Sequence, residues 1–255
     1  MQLQLTNKCS MECPHCMENS IKEINQYMSL ETAQKALEFI DLINPLLVLI
    51  TGGEFTEHPD FFEICSLFKK YEHRILLCSN GSFIEDSIKY DKIKYMLNNY
   101  NFNLKICSIE GLYTNYESIQ KHKKELQSLP NCHVEDYYRI NSLVPLGRAK
   151  KILKENPYKY NNFFITCKIF YDACKIMSFK EACNNTEQNG FGPPFIDWKG
   201  NIHIGETLEC TIIGNIFSFK DINNNIIIPP CEKCNLFLNK IRNTNINYND
   251  ISSYI

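Results

Sequence analysis

From its forty-sixth residue the chain reads Leu46-Leu-Val-Leu-Ile-Thr-Gly-Gly-Glu54, five apolar residues followed by a polar turn. A short uninterrupted apolar run is typical of a β-strand buried on both faces, as in a parallel sheet. The two glycines end the strand and let the backbone approach another group closely, since neither carries a Cβ. This stretch therefore predicts a parallel strand with a special loop at its C-terminal end.

Helical and strand patterns alternate on both sides of this strand. Ser29 begins a capping-box-like Ser-Leu-Glu-Thr followed by helical spacing through Ile40, and Pro59 opens a helix after the strand. Further strands are expected at residues 2–6, 74–78, 103–109 and 132–138, further helices near 86–97 and 116–129, and a sixth strand or turn around 140–144. This alternation favours parallel βαβ units.

The pattern predicts an α/β protein in two parts. Residues 1–155 are expected to form a partial (β/α)6 TIM-like barrel, and residues 156–255 a small cysteine-rich extension. The extension should contain a hairpin in Ile196-Asp-Trp-Lys-Gly-Asn-Ile-His-Ile204, where a Lys-Gly-Asn turn separates two short strands. Reactive groups of parallel barrels gather on loops at the C-terminal ends of strands. Residues 9–16, 51–54, 79–81 and 110–111 occupy such loops.

Composition excludes several classes of protein. The 255 residues carry a formal charge of −2, which argues against a surface that neutralises nucleic-acid phosphates. No apolar run has the length of a membrane-spanning helix, and the N-terminus lacks the basic and apolar regions of a signal peptide. We therefore expect a cytoplasmic protein with neither nucleic acid nor membrane as partner. Because a strand is expected at the N-terminus, no leader-binding domain is expected before the barrel.

Three cysteines follow the first expected strand. Cys9, Cys13 and Cys16 form C-x3-C-x2-C in Asn7-Lys-Cys-Ser-Met-Glu-Cys-Pro-His-Cys16. Three thiolates on one loop can bind three irons of a four-iron four-sulfur (4Fe–4S) cluster and leave the fourth iron open, whereas structural zinc normally has four protein ligands. The alternative is a zinc site completed by His15. Metal binding suits the 13 cysteines of this chain better than disulfides, since a reducing compartment is expected.

The cysteine loop after the first strand and Gly52-Gly53-Glu54 after the second resemble the radical S-adenosylmethionine (radical SAM) superfamily. The resemblance extends over the barrel-like region, although Phe55 stands where members often have proline. It implies that the amino and carboxylate groups of SAM chelate the open iron and that reduction yields a 5'-deoxyadenosyl radical. It also implies that Gly52 and Gly53 lie against SAM and that Glu54 accepts a hydrogen bond from its ammonium group.

Three further residues are candidates for SAM or substrate contacts. Arg148, in Val144-Pro-Leu-Gly-Arg-Ala149, resembles a segment that precedes the extension of many SPASM and twitch enzymes, and could reach a carboxylate of SAM or substrate. Its alternative is a surface arginine at a helix start. Ser108 and Glu110 could face ribose or substrate, or could be ordinary polar groups bonded to the backbone.

The C-terminal cysteines suggest a second metal site. The spacing of four cysteines resembles the twitch pattern, which holds one auxiliary 4Fe–4S cluster. These cysteines are Cys183, Cys210, Cys231 and Cys234. Cys210 departs from that pattern, because the position directly after the hairpin holds Gly205. Cys167 and Cys174 are alternative ligands or hydrogen-atom donors, and a structural zinc site is the competing interpretation. The remaining cysteines, Cys65, Cys78, Cys107 and Cys132, are expected to be small core residues.

These features favour a radical SAM oxidoreductase that abstracts hydrogen from its substrate, with the auxiliary cluster accepting an electron. A peptide is the preferred substrate, as in the maturation of ribosomally made peptides, and a flavodoxin- or ferredoxin-type protein is the expected electron donor. The alternatives are a dehydrogenase of a sugar or small alcohol, an activase that installs a glycyl radical, and a non-catalytic zinc-stabilised binding protein.

Overall fold

The computed structural model describes residues 1–135, 147–149, 151, 166–188, 194–205, 207–220 and 223–224. Eight β-strands lie within these ranges: Gln2–Gln4 (β1), Val48–Thr51 (β2), Ile75–Ser79 (β3), Asn103–Cys107 (β4), Cys132–Glu135 (β5), Phe195–Ile196 (β6), Asn201–His203 (β7) and Ile212–Asn215 (β8). The same ranges contain six α-helices: Leu30–Ile43 (α1), Phe61–Leu67 (α2), Ser87–Asn99 (α3), Tyr116–Gln127 (α4), Thr166–Cys174 (α5) and Phe179–Gln188 (α6).

The strands form one mostly parallel sheet in the order β5-β4-β3-β2-β1-β6-β7-β8. Every neighbouring pair from β5 to β6 is parallel, and the pairs β6–β7 and β7–β8 are antiparallel. This confirms the predicted α/β class. The strand or turn expected at 140–144 lies outside the described residues, so the (β/α)6 count and the division at residue 155 remain predictions.

Helix starts follow the signals in the sequence. The Ser29 hydroxyl accepts the backbone N–H of Thr32 at 3.0 Å and caps α1, as its position in the motif predicts. Asp86 caps α3 in the same way through the N–H groups of Ile88 and Lys89. Helix α2 begins at Phe61, two residues after Pro59, with Asp60 as its N-cap residue, and a short 3-10 turn at Phe55–Glu57 precedes it.

The two faces of the sheet have different chemistry because successive side chains of a strand point to opposite sides. One face is largely apolar and buried in the core, where it carries Leu3, Val48, Ile50, Ile75, Leu77, Leu104, Ile106 and Val134. Residues in register on the other face include polar side chains, with Gln4 beside Thr51 and Cys78 beside Lys105. This polar face forms the wall of the site described below.

The C-terminal hairpin is continuous with the main sheet. Phe195 and Ile196 of β6 pair in parallel with Gln2 and Leu3 of β1, and β7 and β8 extend the sheet outward. The hairpin predicted around 196–204 is therefore present as β6 and β7, and it covers the free edge of β1. None of the helices in the described part of the chain combines the length and the apolar character needed to cross a membrane.

Candidate functional site

A cavity of about 420 Å3 opens at the C-terminal ends of β1 to β5. Its lining includes the cysteine loop at residues 9–18, the turn after β2, the loops after β3 and β4, Arg148 and the polar face of the sheet. Loops at the C-terminal ends of parallel strands meet at one edge of a sheet, which is why separate motifs of the sequence converge here. The cavity is the candidate functional site.

All three cysteines of the C-x3-C-x2-C motif line this cavity. Cys9 and Cys13 are buried, and Cys16 is half-buried. Burial raises the pKa of the Cys9 thiol to about 12 and that of Cys13 to about 11, so both are protonated thiols without a metal. Metal binding would displace these protons, since the thiolate is the ligand.

The donor set of the cysteine loop fits the predicted cluster, since three thiols line one cavity. Across the described ranges, no three His, Cys, Asp or Glu side chains are close enough to share one metal ion. A mononuclear zinc site requires such convergence, whereas in the predicted cluster each cysteine binds a different iron. His15 lies against the Tyr113 ring, with centroids 4.6 Å apart, and burial lowers its pKa to about 4.

The glycines after β2 bring two loops into contact. The N–H of Gly53 donates to the carbonyl of Thr6 at 2.7 Å, and that of Glu54 donates to the carbonyl of Lys8 at 2.8 Å. A Cβ on Gly53 would lie 2.3 Å from the Lys8 carbonyl oxygen, which is closer than a side-chain carbon can approach a backbone atom. Gly52 and Gly53 line the cavity. The glycines therefore serve close packing against the cysteine loop; their contact with SAM remains a prediction.

The Glu54 carboxylate is 1% exposed and accepts four hydrogen bonds from the protein. Its Oε1 accepts the N–H and hydroxyl of Thr56 and the hydroxyl of Ser79, at 2.8 to 3.2 Å, and its Oε2 accepts the N–H of Asn80 at 2.8 Å. Burial raises the pKa of this carboxyl, and these hydrogen bonds oppose the rise. Glu54 thus joins the loops after β2 and β3, and its contact with the ammonium group of SAM remains a prediction.

Arg148 binds the cysteine loop from the other side. Its backbone N–H donates to the carbonyl of Cys16, its Nε to that of Cys13 and its Nη2 to that of Ser20, at 2.8 to 2.9 Å. The preceding Gly147 has φ +52°, and a Cβ there would lie 2.4 Å from the Met17 oxygen. Arg148 is half-buried and also lines the cavity, so a contact with a carboxylate remains a prediction beside this structural role.

Ser108 and Glu110 are placed differently from the residues above. Ser108 is fully buried and its hydroxyl has no hydrogen-bond partner among the described residues, while Glu110 is exposed. Neither is among the described residues that line the cavity. Their roles toward ribose or substrate stay predictions.

The described C-terminal cysteines occupy separate surroundings. Cys174 and Cys183 are fully buried in the apolar core, whereas Cys210 is half-buried after β7 with its sulfur 3.6 Å from the Thr207 hydroxyl. Cys167 lies in α5. Cys231 and Cys234 lie outside the described residues. The auxiliary metal site remains a prediction.

Sequence reasoning missed the polar wall of the cavity. Gln4, Cys78 and Cys107 line it, as do Lys105 and Glu135, whose Nζ and Oε2 are 2.7 Å apart. The expectation that free cysteines are core residues holds for Cys65 and not for Cys78 and Cys107. The available signal was alternation, as in Gln2-Leu-Gln4 and Lys105-Ile-Cys107, where every second residue is apolar.

The sequence model of the radical SAM superfamily matches residues 3–140, more than half of the chain. The chain belongs to that superfamily. Its members use a 4Fe–4S cluster and SAM, which confirms the predicted class of enzyme and its first two cofactors.

The chain is similar to several proteins of known name. It is 29% identical over 196 residues to a protein of Methanocaldococcus jannaschii named as a glycyl-radical enzyme activating enzyme, covering 69% of this chain and 74% of that one. It is 30% identical over 81 residues to the antilisterial bacteriocin subtilosin biosynthesis protein AlbA of Bacillus subtilis, covering 32% of this chain and 18% of that one. The solved structure of anSMEcpe with bound AdoMet has a TM-score of 0.50 and 13% identity, with 86% of this chain and 77% of that chain covered, and shows a similar fold.

Proposed function

We propose that this radical SAM enzyme abstracts hydrogen from a peptide and thereby modifies it. One observation carries the proposal: the three cysteines and the Gly52-Gly53 turn line one cavity together with polar side chains of the sheet. When bound, the cluster and SAM supply a 5'-deoxyadenosyl radical that removes a hydrogen atom from the substrate.

The residues of this chain would hold and shield these groups. Cys9, Cys13 and Cys16 would be the thiolate ligands of the cluster. Arg148 anchors the loop that carries them, and the Asn80 side chain donates to the Cys9 sulfur at 3.6 Å. Hydrogen bonds to cluster sulfurs of this kind tune the reduction potential. The half-enclosed cavity would keep water away from a reactive radical.

A peptide substrate is supported by the similarity to the subtilosin biosynthesis protein and by the polar wall. We further propose a partial (β/α)6 barrel over residues 1–155 and an extension over 156–255. In the extension, Cys183, Cys210, Cys231 and Cys234 would bind an auxiliary cluster that accepts the electron left after hydrogen abstraction. A flavodoxin- or ferredoxin-type protein would donate the first electron.

Activation of a glycyl-radical enzyme is the second candidate. It is supported by the similarity to the M. jannaschii protein, which extends over 69% of this chain. An activase removes a hydrogen atom from the main chain of a partner protein with the same radical. This candidate therefore differs from peptide modification in the size of the substrate and in the product, which is a stable radical on the partner.

Anaerobic reconstitution with iron and sulfide tests the proposal. The full chain should bind about four irons for one cluster or about eight for two, and should convert SAM to 5'-deoxyadenosine with dithionite or reduced flavodoxin. Peptides encoded beside the gene should then change in mass. A stable glycyl radical in a partner, seen by electron paramagnetic resonance, would instead favour the activase. Bound zinc with no SAM cleavage would contradict both enzymatic functions.

A further inference from the structure

Gln4 has an unusual environment for a buried side chain. It is 1% exposed, it lines the cavity, and neither its Oε1 nor its Nε2 has a hydrogen-bond partner among the described residues. A buried carboxamide without partners is unfavourable, and most buried polar groups are therefore paired. An amide retained in this state beside a cavity points to a ligand that completes its hydrogen bonds.

The opposite side of the cavity is already paired. Gln4 is in register with Thr51, and Cys78 is in register with Lys105. Because Ile50 pairs with Leu77, Thr51 lies beside Cys78, and the four residues form one row across β1 to β4. Three strand spacings separate Gln4 from Lys105, about 14 Å between backbones. At one end of this row, Lys105 forms an ion pair with Glu135 at 2.7 Å. At the other end, the side-chain amide of Gln4 has no hydrogen-bond partner among the described residues.

The position of Gln4 connects it to the reactive end of the cavity. It is the last residue of β1, and the chain runs from it through Thr6 to Cys9. A group that Gln4 holds would therefore lie in the same cavity as the three cysteines.

The chemistry of a carboxamide restricts the ligand. It presents one acceptor and two donors in one plane, whereas a carboxylate only accepts and an ammonium group only donates. Either ion would leave one side of Gln4 unsatisfied. A ligand with a donor and an acceptor side by side can pair with both the Oε1 and the Nε2 of Gln4. Two such ligands are the N–H and C=O of one residue in an extended peptide and the side-chain amide of an asparagine or glutamine.

We propose that Gln4 is a specificity-determining residue that binds an amide of the peptide substrate through paired hydrogen bonds. This inference rests on the proposed peptide modification and adds the chemical group by which the peptide is held. It applies to the substrate, whereas SAM contacts are predicted for the cysteine loop and the turn after β2.

The test compares Gln4→Leu and Gln4→Met with Gln120→Leu. Gln120 is a matched control: it lies on α4 outside the cavity lining, and its Nε2 is also buried without a partner among the described residues. In the protein without cofactors, all three changes should raise the midpoint of thermal unfolding or leave it unchanged, because each removes an unsatisfied polar group. If the midpoint of thermal unfolding falls in both Gln4 variants and not in Gln120→Leu, Gln4 has a structural role and the proposal is overturned.

Binding is then measured by saturation-transfer NMR on the reconstituted protein with SAM. The probes are two amides and their esters: N-acetyl-alanine N-methylamide against acetyl-lactic acid N-methylamide, and propionamide against methyl propionate. The wild-type protein and Gln120→Leu should bind at least one amide about tenfold more tightly than its ester, since one hydrogen bond is at stake. Both Gln4 variants should lose that preference. Tighter binding of the amide in the first pair would show that Gln4 binds a main-chain amide of the peptide. Tighter binding of the amide in the second pair would show that it binds a side-chain amide.

Equal binding of amide and ester by the wild-type protein would overturn the proposal, as would an unchanged preference in the Gln4 variants. Loss of SAM binding in those variants would also overturn it, by assigning Gln4 to the cofactor. SAM cleavage without any probe is measured in parallel. Wild-type protein that cleaves SAM without preferring amides refutes only the role of Gln4, whereas absence of cleavage refutes the proposed function and this inference with it.

Discussion

The Glu54 carboxylate accepts the backbone N–H of Asn80 at 2.8 Å, and the side-chain amide of Asn80 donates to the Cys9 sulfur at 3.6 Å. These two contacts connect the Gly-Gly-Glu turn to the cysteine loop through the end of β3. A buried carboxylate therefore helps to position Cys9 without contacting it.

Replacing Glu54 with Gln should disrupt this connection. The amide nitrogen of Gln cannot accept hydrogen bonds, so either the N–H of Asn80 or the donors of Thr56 and Ser79 lose their acceptor. We expect a loss of about 1–3 kcal/mol in the free energy of unfolding and a lower iron content after reconstitution. Urea unfolding and iron analysis measure the two effects. Glu63→Gln changes an exposed helical carboxylate and should stay within about 0.5 kcal/mol of the wild type; equal effects of both changes would contradict the assigned role.

Replacing Cys9, Cys13 or Cys16 with Ala should reduce 5'-deoxyadenosine formation to background, because each removes one proposed ligand of the cluster. The iron content should fall in parallel. Cys132→Ala is the control, since Cys132 is half-buried on β5 and is not among the described residues that line the cavity. Chromatography of the nucleoside product is the measurement. Normal SAM cleavage by any one of the three loop variants would refute the cluster assignment.

Arg148→Met removes the two guanidinium hydrogen bonds to the carbonyls of Cys13 and Ser20. Hydrogen bonds to a charged group contribute about 1.5–3 kcal/mol each, so we expect a looser cysteine loop and slower cluster assembly. The rate of iron uptake measures this effect, with exposed Lys151→Met as the control. If iron uptake is normal and only the Kd for SAM rises, Arg148 binds SAM and does not position the loop.

Gly53→Ala should destabilise the protein more than Gly52→Ala. The added Cβ would meet the backbone oxygen of Lys8 at 2.3 Å in the first variant, against 3.0 Å from the oxygen of Thr6 in the second. Because a backbone atom cannot move aside as a flexible side chain can, the first change must separate the two loops. Thermal unfolding of the two variants side by side tests this order, and the reverse order would contradict it.

His58 should make stability depend on pH below neutrality. Burial lowers its pKa, and its ring is bonded as the neutral form: Nε2–H donates to the Met28 carbonyl at 2.8 Å, and Nδ1 accepts the N–H of Asp60 at 2.9 Å. Below the ordinary pKa of 6.5, His58 is protonated in the unfolded chain but stays neutral in the folded protein. The free energy of unfolding therefore falls as the pH drops from 6.5 towards the lower pKa of the folded state.

The slope contributed by His58 reaches at most about 1.4 kcal/mol per pH unit. Urea unfolding of the protein without cofactors at several pH values between 7.5 and 5.5 measures it. His58→Gln keeps a donor for the Met28 carbonyl and does not titrate, so its stability should change less over this range. An identical slope in this variant would assign the pH dependence to other groups.

Local features of the chain were predictable because they depend on near neighbours. The Ser29 cap, the apolar β2 strand and the turn after it follow from propensities and hydrogen bonds within a few residues. The cysteine motif is equally local. The parallel pairing of β1 to β5 is favoured by the strand–helix alternation, because each crossover returns the chain to the same end of the sheet.

Features that depend on distant contacts were not predictable. Arg148 was a candidate for a carboxylate, yet it donates to the carbonyls of Cys13 and Ser20, more than 120 residues earlier. Alternation along β4 groups Cys107 with Lys105 on one face, but only the orientation of the sheet shows that this face and Cys78 line the cavity. The pairing of β6 with the edge of β1 has no signature in either short strand.

The sequence by itself determined the family, the α/β class and the three cysteines, because spacing and periodicity are properties of contiguous residues. Tertiary structure alone decided what surrounds those cysteines: the link from Glu54 through Asn80, the hold of Arg148, and the unsatisfied amide of Gln4 facing the cavity. The physical reason is that hydrogen-bond partners and burial depend on which distant loops and strands meet, and these meetings are set by the packing of the whole sheet.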